Sequence, residues 1–151
     1  MNLPSDPGSY VLVLRADSCA ELEVGALGEL RLEPGFYLYV GSALGPGGLG
    51  ARLRHHAGSR ARPHWHIDYL RARAAIHEIW WSIGPQRLEH EWARALARSR
   101  RLRVPLPGFG SSDCNCPAHL FFSAAEPSRA ALRRTSGAVL EFCTYAGGVT
   151  P

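Results

Sequence analysis

The chain has 151 residues, 46% of them hydrophobic, which is enough for one compact domain with its own core and too few for a second. Its 17 basic residues are all arginine and outnumber 13 acids, giving a formal net charge of +4. That balance favours a polyanionic partner such as nucleic acid over a neutral metabolite, because the planar arginine fork matches phosphate geometry; no apolar run approaches the roughly 20 residues that a bilayer requires, so no membrane association is expected.

The opening MNLPSDPG carries an acid and two prolines without a basic cluster, so no export signal is expected and a cytoplasmic location is. Cys19, Cys114, Cys116 and Cys143 lack the even distribution of a secreted disulfide framework. Reduced thiols or a metal site are expected in place of disulfides.

Taken in chain order, residues 9–15 alternate and are rich in Val and Leu, which predicts a strand. Residues 20–24 and 29–33 alternate charged and apolar side chains and predict a meander turning at Gly25 and Gly28. Residues 35–41, GFYLYVG, follow a Pro-Gly turn and are apolar on both faces, as a central strand should be. A helix is predicted over 49–57, and a short second one from Pro63 through HWHIDYLRAR. AIHEIWWSIG (75–84) predicts a strand that sets Ile76, Glu78 and Trp80 against His77, Ile79 and Trp81. Leu88, Trp92, Ala95, Leu96 and Ser99 form a helical stripe within 86–99. A Pro/Gly loop, a strand at 118–123, a helix from Pro127 and a strand at 138–143 complete the reading. There is no repeat, low-complexity tract or linker, so residues 1–151 are expected to form a single domain. The three tryptophans Trp80, Trp81 and Trp92 are read as core and not as stacking platforms.

Between the central strand and the first helix lies GSALGPGGLG, in which Gly45, Gly47 and Gly50 spell G-x-G-x-x-G. A dinucleotide fold would need a βαβ unit and an acid about 20 positions on, for which Asp68 would serve. Pro46 sits where close backbone approach is wanted, and HWHIDYL does not resemble a buried parallel strand. No Gly-Lys-Ser/Thr follows, which excludes a Walker loop. No nucleotide cofactor is expected.

GSY at 8–10, YVG at 39–41, Arg52 one helical turn before His56, and a glutamate on a later helix form an ordered constellation. With these the chain resembles the GIY-YIG nuclease superfamily, and more narrowly the branch catalogued as domain of unknown function 123. The stretches GFYLYVGSALGPGGLGARLRHH, HWHIDYL and PGFGSSDCNCPAHLFF match that branch in order, so the resemblance spans residues 8–123. It implies an α/β (α+β) domain with a small mixed or antiparallel central sheet flanked by helices. It further implies a divalent-metal-dependent endonuclease (a hydrolase) acting on the phosphodiesters of DNA, in repair or processing of DNA intermediates.

The same resemblance implies residue roles. Tyr10 takes part in proton transfer, Tyr39 positions water or phosphate, Arg52 offsets charge on the scissile phosphate, His56 contacts the leaving oxygen or backbone, and a glutamate holds a single Mg²⁺ or Mn²⁺. A phenol titrates near 10 and needs a nearby cation to act as a base around neutrality, which metal and arginine together would supply. Glu89 and Glu91 flank the apolar helix stripe at similar angles, so periodicity does not choose between them; the family pattern aligns best with Glu89, and Glu91 is the alternative. Two departures stand out. Ser42 occupies the place where many members carry lysine, and the usual late asparagine has no clear counterpart beyond Asn115. The alternative function is therefore a nucleic-acid-binding module that keeps the fold without cleavage.

DCNCPAH offers Asp113, Cys114, Cys116 and His119, with His66 upstream. Paired zinc cysteines usually have two to four residues between them, where this pair has one, and a site needs a fourth ligand, so zinc is not expected. The plainer reading makes one cysteine a small buried hydrophobe and His119 a hydrogen-bonded core residue; another places Ser112, Asp113 and His66 on the nuclease cleft.

Overall fold

The computed structural model describes residues 2–58, 62–137 and 140–144. Strands β1 (Gly8–Ala16), β2 (Ala20–Val24), β3 (Gly28–Leu32), β4 (Gly35–Ala43), β5 (Ala75–Ile83), β6 (Leu120–Ser123) and β7 (Glu141–Thr144) are joined by helices α1 (Gly48–Ala57), α2 (His66–Arg71), α3 (Glu89–Ala97) and α4 (Arg129–Ser136). Five strands form one antiparallel sheet in the order β6-β4-β1-β5-β7. The expected α+β architecture, an antiparallel sheet flanked by helices, is the one observed. Where the last strand was expected at 138–143, residues 138–139 lie outside the described residues, and β7 begins at Glu141.

β1 is the centre of the sheet, and its side chains alternate between two cores. Tyr10, Leu12 and Leu14 pack on one face with Leu49 and Leu53 of α1, Ile67 and Leu70 of α2, and the β2-β3 hairpin. Val11 and Val13 pack on the other with Trp92 and Leu96 of α3 and Leu132 of α4. A sheet covered on both faces needs apolar residues at every position of its inner strands, which is why β1 and β4 show little polar alternation. Trp80, Trp81 and Trp92 are all buried, as the core reading expected.

Three features differ from the sequence expectation. β2 and β3 pair as a separate two-stranded sheet instead of continuing a meander into the main one. The register between β1 and β5 shifts at Val13/Leu14, so that Val13 faces Glu78 and Leu14 faces Ile76. This bulge carries His77 out of the alternation and turns Ile76 to the same core as Ile79 and Trp81, a reversal that period-two counting cannot register. Finally, α2 starts at His66, leaving Pro63 outside it, and α3 starts at Glu89.

Candidate active site

Tyr10 of β1 lies directly opposite Gly41 of β4, and it is 1% exposed. A Cβ on residue 41 would stand 2.5 Å from the phenol oxygen, so glycine is what lets the ring cross to the neighbouring strand. There the hydroxyl lies 2.7 Å from Nε2 of His56, with ring centroids 5.5 Å apart. Tyr39, two residues before Gly41 and therefore on the same face of β4, brings its ring within 6.1 Å of the same imidazole. Arg52 and His56 come from α1 at a spacing of four, which stacks them on one side of the helix. The Arg52 guanidinium sits 4.6 Å over the ring of Trp65.

Burial dominates the electrostatics of this group. It raises the Tyr10 phenol well above its ordinary value, and the neighbouring Tyr39 adds to that while the charge and hydrogen bond of Arg52 oppose it. Tyr39 is also raised, first by burial and then by Glu89. Burial lowers His56 from 6.5 to about 3, with His55 and Arg52 pushing the same way. His56 is thus neutral at ordinary pH and carries a single N–H. Its Nδ1 is buried without a hydrogen-bond partner, so the contact to Tyr10 is the imidazole's one polar anchor.

A carboxylate completes the ring of groups. Glu89, at the start of α3, is 9% exposed and faces the same cavity. The Ser42 hydroxyl donates to its Oε1 at 2.9 Å, Arg87 Nη1 donates to the same oxygen at 2.7 Å, and His119 Nδ1 lies 3.7 Å from Oε2. Glu91 is exposed and does not line the cavity. Position on the helix thus separates the two acids that periodicity left equivalent. Ser42, a departure from the family pattern in the sequence, has a definite place here: beside it in the sheet, Ser9 accepts the N–H of Leu88 at 3.0 Å. The two paired serines thereby fix the entry of α3 and the orientation of its first acid.

The cavity has a volume of about 400 Å³ and gathers Tyr10, Tyr39, Arg52, Arg87 and Glu89 with Trp65, His66, Ser112, Asp113, Cys114 and His119. Its outer wall is the loop after α3. The loop is tied to α2 by the Gly110 N–H, which donates to His66 Nδ1 at 2.9 Å, and to itself by His119 N–H to Phe109 O at 2.7 Å. Burial lowers His66, in keeping with a ring nitrogen that accepts this bond. His56 stands behind Tyr10, and neither Cys116, which is buried, nor the exposed Asn115 lines the cavity. Asn115 therefore supplies nothing in place of the missing asparagine.

The glycine loop meets the cavity without forming a phosphate cradle. The first N–H groups of α1 are already taken: Leu49 donates to Asp6 O at 2.9 Å and Gly50 to Pro4 O at 2.7 Å. β4 and β5 are both antiparallel to β1, so the crossover that starts at this loop is split by β1 and is not the βαβ unit of adjacent parallel strands that a dinucleotide fold needs, and Asp68 accepts the N–H groups of His64 and Trp65 at 2.8 and 2.9 Å instead of facing a ligand. Burial would raise the Asp68 carboxyl, but these two donors outweigh it and hold the group below its ordinary value. Trp65, Arg87, His90 and Ser9 are site residues that sequence reasoning did not single out. Of these only Ser9, inside GSY, and Arg87, two residues before Glu89, carried a signal of position.

The molecule is thus a small antiparallel α+β domain whose central strands and two helices converge on one polar, arginine-containing cavity. The sequence model of the family described as Domain of unknown function DUF123 matches residues 9–140, and the chain belongs to that family. No curated protein and no solved structure matches it.

Proposed function

We propose that the protein is a divalent-metal-dependent endonuclease of the GIY-YIG type that hydrolyses phosphodiester bonds of DNA in repair or processing of DNA intermediates. The observation that carries this reading is the convergence of Tyr10, Tyr39, Arg52 and Glu89, from four separate elements, on one cavity. A buried and a partly buried phenol, a guanidinium and a carboxylate suit phosphoryl chemistry, in which charge on a phosphate must be offset and a water deprotonated.

Arg52, held by Trp65 at the cavity wall, would take the scissile phosphate. With Arg52 and a bound cation opposing the effect of burial, the Tyr10 phenol would lose its proton to solvent and, as phenolate, take the proton of the attacking water as that water bonds to phosphorus, while neutral His56, 2.7 Å away, holds the oxygen in place. The P–O bond to the leaving oxygen breaks, and that oxygen takes a proton from solvent. Tyr39 faces the same space and would orient water or phosphate. Glu89 fits a Mg²⁺ or Mn²⁺ ion by donor chemistry: one hard carboxylate on an open polar cavity, where waters and phosphate can complete the shell. When bound, such an ion supplies charge stabilisation at the phosphate oxygens.

A second reading, a DNA-binding module without cleavage, is favoured by the Arg87 and Ser42 contacts that already occupy Oε1 of Glu89. Purified protein incubated with branched, nicked and linear DNA, with Mg²⁺ or Mn²⁺ and with chelator, separates the two. Metal-dependent cleavage that falls about 10²-fold or more in Glu89→Gln and Tyr10→Phe, with DNA affinity kept, supports the enzyme. Binding with no cleavage of any substrate supports the module.

A further inference from the structure

We propose that this chain also holds a structural zinc ion, bound by Cys114, Cys116, His90 and His119 on the outer side of the cavity. The two thiols and a ring nitrogen of His90 lie within 4.8 Å of one another. Nε2 of His119 is 3.3 Å from the Cys114 sulfur. Around a tetrahedral zinc with bonds of about 2.0–2.3 Å, ligand atoms stand about 3.3–3.8 Å apart, so small side-chain rotations bring the four into place. Two thiolates and two imidazoles make a donor set suited to zinc and poorly suited to Mg²⁺.

The C-x-C spacing counts against zinc only while the pair must act as a local knuckle. Here a turn leads into the pair, with the Cys114 N–H donating to Ser111 O at 3.3 Å, the chain bends at Cys114 and Asn115, and the missing ligand comes from α3, 24 residues upstream of Cys114. Cys116 and His119 are buried, and Cys114 and His90 partly so, which shields the cluster from water. The second nitrogen of His119 faces Oε2 of Glu89 at 3.7 Å, the carboxylate–histidine–metal order that fixes a ligating ring. The ion would clamp the loop carrying Gly110, Ser112 and Asp113 onto the start of α3. On binding, each thiol gives its proton to solvent.

The site is read independently of DNA cleavage, so its failure and that of the nuclease reading are distinguishable. The full chain, stripped with chelator under reducing conditions, is titrated with Co²⁺ and then Zn²⁺. We expect thiolate-to-cobalt charge transfer and the visible bands of a tetrahedral ion, saturating at about one equivalent and abolished by Zn²⁺. His90→Gln should weaken Co²⁺ binding at least about 10-fold, while Cys19→Ser, at an exposed and distant thiol, leaves the spectrum unchanged. Absence of charge transfer in the wild-type chain overturns the proposal, as does a spectrum in Cys116→Ser that matches the wild type. Should Cys116→Ser not fold, the wild-type titration and His90→Gln still decide.

Discussion

His56 shows how a single residue's environment becomes measurable. It sits 2% exposed between Tyr10 and the rings of His55 and Trp65, facing Arg52 and Arg71 as repelling charges and Asp68 as the one attracting charge. Its folded value of about 3 lies below the unfolded 6.5, so between those limits the unfolded chain binds the extra proton and stability falls as pH falls. The stabilisation is intact above 6.5 and lost on approach to 3; near pH 5 the loss is about 2 kcal/mol. Urea unfolding at a series of pH values should show this slope in the wild type and a flatter one in His56→Gln. Equal slopes would mean that His56 is not the group responsible. At this scale the sequence was informative where a residue type is chemically unusual in its place: Tyr10, Tyr39, Arg52 and His56 all fall in the site region. It was silent on Trp65 and gave for Arg87 only its nearness to Glu89, because the parts of both depend on which distant surface they meet.

At the scale of elements, the paired serines of β1 and β4 decide where α3 begins. Ser9 is fully buried and its hydroxyl accepts the Leu88 N–H, while Ser42 donates to Glu89 in the next position. Ser9→Ala leaves that N–H without an acceptor in a closed space, so we expect a stability loss of about 1–2 kcal/mol by thermal or denaturant unfolding. Cleavage should drop further than Tm alone accounts for, because Glu89 loses its backbone anchor. A variant as stable and as active as the wild type would show that α3 is positioned by its apolar stripe alone. The elements themselves were legible, since hydrophobic period marks a strand or helix locally. Their edges were not. The start of α3 is set by a hydroxyl 79 residues away, and the bulge at His77 is set by pairing with Val13 and Leu14, neither of which alters the local pattern of β5.

For the whole molecule, charge is the property that composition announced and the structure distributes. Arg52 and Arg87 both border the cavity, while Arg98, Arg100 and Arg101 are exposed beyond α3. If the cavity receives a DNA backbone, two phosphates neutralised by Arg52 and Arg87 predict an affinity loss of about 10-fold between roughly 50 and 200 mM salt. Fluorescence anisotropy with a labelled duplex measures it; a flat response would place the partner outside nucleic acids. The α+β architecture could be anticipated from the ordered motifs that carry the family resemblance, which left the sheet mixed or antiparallel. The separation of the β2-β3 hairpin could not, since two strands that pair with each other look alike whether or not a third joins them.

The position of β1 at the middle of the sheet bears on how the chain is made. Among the five strands of this sheet, the one made earliest is the one that both β4 and β5 flank, and the edge strands β6 and β7 follow them in the chain. The sheet therefore grows outward from its central strand, and β5, β6 and β7 each close a far longer loop than β4 does. Tyr10 waits about 80 residues for Glu89, and the wall around His119 follows later still. Until synthesis has passed that point, no fragment of the protein holds a complete set of these side chains. The chemistry proposed for the cavity is thereby withheld from every nascent form that ends before His119.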